Sequence, residues 1–192
     1  CGKCFNFFNF GRNVAKFHAE KRPEIIADGA RKCQIFLRIC TSDSRIAEMN
    51  LPITYPDLLE LIPQRPPFVM VDELSFFTET LAKSRFRVKK DCLLLENNRI
   101  TEAGLTENIA QTAALSSGYK SKISNQAPPV GFIGAIKSLQ IYSRPEVGAT
   151  LKTHVEFLHQ IGNVSIIQGK SFFEGELVAE CEMKIFLQEN PT

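Results

Sequence analysis

Tryptophan is absent from the 192 residues and tyrosine occurs three times, against fifteen phenylalanines. Aromatic rings without polar handles fill cores more readily than they build binding platforms. No apolar run approaches the ~20 residues needed to cross a bilayer, so no membrane association is expected. No basic stripe is concentrated anywhere and the net charge is only +2, so nucleic acid is not an expected partner. Internal repeats and low-complexity tracts are also missing. Apolar residues at 44% and charged residues at 23% are ordinary for a globular domain, and the length suits one domain with an appendage.

Of six cysteines, only Cys92 and Cys181 lie beyond residue 48, and they are far apart in sequence. No disulfide framework is implied there, and reduced thiols in the cytoplasm are the simplest expectation. Cys1-x-x-Cys4 with Cys33 and Cys40 contains four thiolates of the kind zinc takes. The second pair is widely spaced and no His or Gly knuckle pattern supports it, so no metal and no cofactor is expected.

Residues 1–48 differ in texture from the rest. CGKCFNFFNFGRN is rich in aromatics and asparagine without a period, and the following stretch breaks at Pro23 and Gly29. It holds no ordered n-region, h-region and cleavage site. From Met49 the pattern becomes dense and regular. Met49 therefore reads as the start of a domain, 49–192, with 1–48 as an upstream extension outside it; the alternative is an N-terminal module that packs on the domain.

Thr101–Lys122 predicts a single helix unusually rich in Ala, Ser and Gly, a composition that lets other backbone approach on several sides. Thr101 suits its cap and Glu102 the positive end of its dipole. Leu105, Ile109, Thr112, Ala113 and Ser116 form a buried stripe. Glu107 and Gln111 stand one turn apart on the neighbouring face, where a lone carboxylate backed by an amide is either a site of chemistry or a solvated helix-start Glu. Ahead of the helix, 53–62 reads as a short helix, Pro63–Pro67 as a stiff connector, and 68–77 and 80–89 as paired strands. Leu93–Leu95 and Asn97-Asn98 lead into the helix. After it come a polar loop, 124–129, and strands at 130–143, 150–158, 164–173 and 177–187, the last three joined by hairpins. The fold class is α+β: one curved antiparallel sheet wrapped round one central helix.

Residues 61–72, LIPQRPPFVMVD, resemble the Pro-His-Arg-x-Pro-Phe-(apolar)-Val-Asp opening of the β-hydroxyacyl-ACP dehydratases. Glu107-Asn108-Ile109-Ala110-Gln111 resembles their Glu-x-x-Ala-Gln helix. Gly131-Phe132-Ile133-Gly134 and Arg144-Pro145-Glu146-Val147-Gly148 resemble the strand and turn that follow. The match runs from about Leu51 to Leu187 and, within the family, is most similar to the shorter dehydratase-like proteins of bacterial polyene and pigment lipid clusters.

The resemblance implies a hotdog fold and an acyl carrier protein as partner. It also implies a pocket shared between two subunits, in a homodimer or in a heterodimer with another hotdog protein. The implied chemistry is a syn elimination of water from a 3-hydroxyacyl thioester, by a His base and a carboxylic acid. Glu107 takes the acid position and Gln64 the His position; Gln111, Arg65, Phe68, Gly104, Phe132 and Gly134 are the implied substrate-binding residues. A primary amide cannot act as a base at neutral pH. The remaining histidines, His18, His154 and His159, have no place in the motif and read as exposed strand or turn residues, or as part of the extension.

The function expected is that of a 3-hydroxyacyl-ACP dehydratase-like hydro-lyase with an unusual site; the alternatives are a thioesterase that activates water with Glu107 and a catalytically silent acyl-binding subunit of a hotdog heterodimer. Arg85, Arg87, Lys89 and Lys90 form a candidate carrier-docking patch; a solvated edge strand is the plainer reading. Deletion of residues 1–48 is expected to leave a folded domain. Thermal melting of a chain truncated to 49–192 checks this: a midpoint far below that of the full chain would make the extension structural.

Overall fold

The computed structural model describes residues 51–188. All of them lie in the second of two units of the chain, 47–192; the Met49 boundary and the first four cysteines lie outside the described residues. The strands are β1 (Ile53–Thr54), β2 (Glu73–Phe77), β3 (Leu81–Arg87), β4 (Leu95–Glu96), β5 (Arg99–Ile100), β6 (Val130–Ile141), β7 (Thr150–Ile161), β8 (Val164–Phe173) and β9 (Glu176–Gln188), with α1 spanning Glu102–Ile123. Seven of them form one antiparallel sheet in the order β1-β2-β3-β7-β8-β9-β6. The helix packs on β2, β3, β7, β8 and β9. Among the described residues no helix is long and apolar enough to cross a membrane.

The helix begins and is buried as its sequence predicts. Thr101 Oγ1 accepts a hydrogen bond from the Gly104 amide at 3.1 Å, closing one of the orphan donors of the first turn. Leu105, Ile109, Thr112, Ala113 and Ser116 are all buried, and so are Asn108, Gln111, Leu115, Gly118 and Tyr119. Burial therefore extends well round the helix, which explains why its sequence shows no sharp polar face. Two glycines set how closely other chain can approach it. A Cβ on Gly118 would collide with the Leu61 carbonyl, and one on Gly169 of β8 would collide with Ile109.

Two predicted elements need correction. Residues 53–62 are not a helix: 53–54 pair with β2, and only Asp57–Glu60 form a single 3-10 turn. Pro52, Pro56 and Pro63 leave too few residues between breaks for an α-helix, and each proline steers the residue before it toward extended backbone. The strand predicted over 68–77 begins only at Glu73. The Asp72 amide already donates to the Arg85 carbonyl of β3, but over 68–70 the backbone pairs with side chains of the helix. Gln111 Oε1 accepts from the Met70 amide, and Gln111 Nε2 and Asn108 Nδ2 donate to the carbonyls of Phe68 and Met70, each at 2.7 Å.

β3 alternates as predicted, with Ala82, Ser84 and Phe86 buried and Arg85 and Arg87 exposed, and it pairs with β2. It is an interior strand, flanked by β2 and β7, rather than an edge. Where the residues predict only an approach to the helix, 95–100 form a small β4–β5 hairpin. Asn97 and Asn98 both take positive φ there, as its two-residue turn requires. The β7–β8 and β8–β9 hairpins turn at Gly162-Asn163 and Glu174-Gly175, as expected.

The close approaches at positions 118 and 169 give a direct test. Gly169→Val and Gly118→Ala are each expected to lower stability by about 1–3 kcal/mol through overpacking. Ala103→Ser, on an exposed position, should stay within about 0.5 kcal/mol of wild type. Urea unfolding of the three variants measures the difference.

Candidate functional site

A cavity of about 410 Å³ lies between one face of α1, the 61–65 arch, and the start of β6. The arch is held from both sides. Leu61 and Ile62 are buried in the core beneath it, and Arg65 folds its guanidinium back to donate to the carbonyls of Ile62 (2.7 Å) and Gln64 (2.8 Å). The helix face carries Glu107, Ala110, Ala114 and Ser117, so small side chains leave the space open beyond the carboxylate.

Glu107 is half-buried and its Oε1 accepts from Gln111 Nε2 at 2.8 Å. Its Oε2 has no hydrogen-bond partner among the described residues and remains available to a ligand. Of the other charged lining residues, Glu60 pairs with Lys122 at 2.8 Å and Arg65 serves the arch backbone. Glu107 is thus the one carboxylate of the cavity that no cation neutralises. Gln64 lines the same space, and its side-chain Oε1 is buried without a hydrogen-bond partner.

The remaining predicted site residues are placed differently. Gln111 stands behind the cavity wall, spending its whole amide on Phe68, Met70 and Glu107. Phe68 contributes its backbone carbonyl to that arrangement while its ring is exposed. Gly104 lies outside the lining, where an added Cβ would come within 2.6 Å of Ile100. Gly134 packs under the Phe186 ring, and Phe132 is exposed on β6. Near these last two, the cavity wall is formed by Gly131 and Ile133.

Neither described histidine lines this cavity. His154 sits on β7, in register with Lys83 of β3 and Lys170 of β8 and beside the Phe172 ring. Burial, then the neighbouring charges of Lys83 and Lys152, push its pKa down. His159 lies farther along β7, at a second cavity. His18 lies outside the described residues. In the basic patch, Arg85 pairs with Glu73 at 3.8 Å and Lys89 with Asp72 at 2.7 Å, which leaves Arg87 and Lys90 without carboxylate partners among the described residues.

Sequence reasoning missed Asn108. Its amide carbonyl accepts from Thr153 Oγ1 (2.5 Å) and Ser171 Oγ (3.4 Å), and its backbone carbonyl accepts from Thr112 Oγ1 (2.7 Å), which in turn bonds Ser84. This fully buried network ties the helix to β3, β7 and β8 directly behind Glu107. A polar residue within a buried stripe was the available signal.

Cys92 and Cys181 are free thiols, and burial pushes Cys181 up to about 11. A thiol in that state is a packing residue rather than a nucleophile.

β6 is one edge of the sheet, opposite β1, and its first residues expose apolar side chains. Phe132 is 56% exposed, Val130 49% and Ile133 45%. Val130, Gly131 and Ile133 also line the cavity, so that edge and the cavity adjoin.

Gln111→Leu is expected to cost about 2–5 kcal/mol, because the Met70 amide and Phe68 carbonyl lose their buried partners together. Urea unfolding gives the loss, and faster hydrogen exchange at the Met70 amide would locate it in the arch.

Solved structures resemble this arrangement at low sequence identity. The dehydratase heterocomplex ApeI:P from Xenorhabdus doucetiae matches with a TM-score of 0.65 and 15% identity, covering 73% of this chain and 93% of that one. An uncharacterised protein from Pyrococcus horikoshii matches with a TM-score of 0.54 and 14% identity, over 73% and 97%. A hypothetical thioesterase from Streptococcus pneumoniae, solved with coenzyme A, matches with a TM-score of 0.50 and 12% identity, over 62% and 88%. These likenesses establish the hotdog fold. No curated protein sequence matches the chain. A family model described as ApeP dehydratase, of the ApeP-like group, matches residues 56–192, which include the arch, the helix and every strand from β2 to β9. The chain therefore belongs to the ApeP-like dehydratase family.

Proposed function

We propose that this chain binds a 3-hydroxyacyl thioester beneath the 61–65 arch and supplies the acid half of its dehydration. The base comes from a second hotdog subunit docked along β6. The observation that carries this reading is the pairing, in one cavity, of Glu107 with the unpartnered Oε1 of Gln64. A buried acceptor left unpaired costs about 1–3 kcal/mol, so this position favours a ligand that brings an O–H. The 3-hydroxyl of such a substrate donates to Gln64 and accepts from the protonated carboxyl of Glu107.

In the elimination, the partner's base takes the Cα proton and the electron pair forms the Cα–Cβ double bond. The C–O bond at C3 breaks as Glu107 Oε2 delivers its proton, releasing water and the enoyl thioester. Hydroxide is too poor a leaving group to depart unprotonated, and Gln64 cannot remove a proton, which is why both halves are required.

The exposed apolar edge of β6 supports a protein partner. An uncovered strand edge with large hydrophobics invites pairing, and a second sheet placed there would bring its own side chains to the cavity. Arg65 at the arch, with Arg87 and Lys90, offers positive charge to an acidic carrier protein. The other reading kept is a thioesterase, favoured by the free Oε2 of Glu107, which suits activation of water.

Purified chain, alone and mixed with a hotdog dehydratase subunit that retains its His, is to be incubated with a 3-hydroxyacyl carrier protein. Enoyl product and free thiol are both followed. Enoyl product is expected only in the mixture, and Glu107→Gln should remove most of it. Gln64→His should create activity in the chain alone, since a positioned base contributes ~10²–10⁴-fold. Free thiol from wild type, stopped by Glu107→Gln, would establish the thioesterase instead. A mixture indifferent to Glu107→Gln would make this chain a silent subunit.

A further inference from the structure

The face of the sheet turned away from α1 carries a compact island of positive charge that the site described above does not use. Strand alternation puts it there. Ala82, Ser84 and Phe86 of β3, Leu151, Thr153 and Val155 of β7, and Ile167, Gly169 and Ser171 of β8 are buried, so the residues between them point outward. Pairing then sets those outward residues in two rows. Lys83, His154 and Lys170 stand side by side across β3, β7 and β8, and Arg85, Lys152 and Phe172 form the next row. Directly opposed side chains on one face have Cβ atoms about 5 Å apart, and like charges so placed destabilise the pairing. Arg85 nevertheless faces Lys152, and His154 lies between two lysines.

Carboxylates ring this island without filling it. Glu73 of β2 reaches Arg85 at 3.8 Å, and Glu180 of β9 reaches Lys170 at 3.7 Å. Glu156 lies one row beyond His154 on β7, opposite Gln168. Lys83 and Lys152 have no carboxylate partner among the described residues; the Lys83 ammonium lies 5.2 Å from the centre of the Phe76 ring. The Phe172 ring flanks the other side, 5.0 Å from the His154 imidazole. Two rings beside the charges exclude some water, and charge acts more strongly where water is thinned. A long polyanion or an anionic membrane laid over this face would meet Glu73, Glu156 and Glu180 at its borders. A compact dianion would meet only the cations.

We infer that Lys83, Lys152, Lys170 and His154 form a binding site for a phosphomonoester dianion, and that His154 takes up a proton as the ligand binds. The tetrahedral oxygens accept from the three ammonium groups and from the imidazolium N–H. In the free protein, burial and then the charges of Lys83 and Lys152 push the His154 pKa down. A dianion held among the same lysines offsets their repulsion and favours the imidazolium, so that pKa rises on binding. By linkage, the dianion binds more tightly as the pH falls through the range in which His154 titrates. The charged groups that face His154 are Lys83 and Arg85 from β3, Lys152 and Glu156 from its own strand, Lys170 from β8 and Glu180 beyond it on β9. The site lies across the sheet from Glu107 and does not rest on the acyl-binding reading.

The test follows the ring proton signal of His154 by NMR in the full chain, assigned by its loss in His154→Gln. It is titrated over the range of about pH 5 to 8 in which histidine changes charge. Sodium chloride holds the ionic strength constant. The probes are sulfate, a dianion throughout that range, methyl phosphate as the monoester, and dimethyl phosphate as a monoanionic diester. Sulfate and methyl phosphate should move the His154 midpoint upward, and dimethyl phosphate should leave it in place. Sulfate should also bind about tenfold more tightly at the acid end than at the alkaline end. Lys152→Ala and Lys170→Ala should each weaken it several-fold. A His154 midpoint that moves no further in sulfate than in chloride overturns the inference. An equal response to dimethyl phosphate overturns it as well, since that would be screening by any anion. Sulfate binding unchanged in the Lys152→Ala, Lys170→Ala double variant removes the lysines from the site. A response to sulfate without one to methyl phosphate would mark an adventitious ion only and overturn the phosphomonoester assignment.

Discussion

The side-chain amide of Gln111 is the contact on which the site depends. Its oxygen accepts from the Met70 amide, and its two N–H groups serve the Phe68 carbonyl and Glu107. One buried group thereby satisfies a segment of chain that has no strand partner and aims the carboxylate one turn earlier on the helix. A hydrocarbon of the same size could fill the space, but it would orphan two buried backbone groups and release the Glu107 carboxylate. The local backbone of the 68–70 segment and the chemistry of the cavity are therefore set by the same three hydrogen bonds.

The helix achieves this by being buried among polar as well as apolar neighbours. Asn108, Thr112, Thr153, Ser171 and Ser84 form a connected, fully buried hydrogen-bond network under it, flanked by Leu105 and Ile109, which are wholly buried. Such a network contributes modestly to net stability when complete and is costly when broken, so it acts chiefly to fix the helix in one rotation. Rotation matters here, because Glu107 and Asn108 are adjacent residues with opposite tasks: one faces the cavity, the other the sheet. Gly169 lets β8 close on Ile109 beside this network, and Gly118 lets the Leu61 carbonyl approach farther along the helix.

Cavity and edge strand are coupled by position. The first residues of β6 wall the site and also form part of an apolar edge that the sheet leaves uncovered. Under the proposed reading, a subunit docked on this edge also borders the cavity.

Much of the fold was legible in the residues. The capped, small-residue helix, the alternation of β3 and the glycine-bearing hairpin turns are short-range features, and each follows from backbone sterics and burial period. The nearness of Glu107 and Gln64 in one cavity was legible too, through the motifs that hold them. What the sequence could not determine arose from partners distant along the chain. The 68–70 segment has apolar, strand-like residues, yet the amides of Asn108 and Gln111, some forty residues on, took its hydrogen bonds and kept it out of the sheet. Gly104, Phe132 and Gly134 fell outside the cavity because packing against Ile100, exposure on an edge and contact with Phe186 depend on strand register, which only tertiary pairing decides.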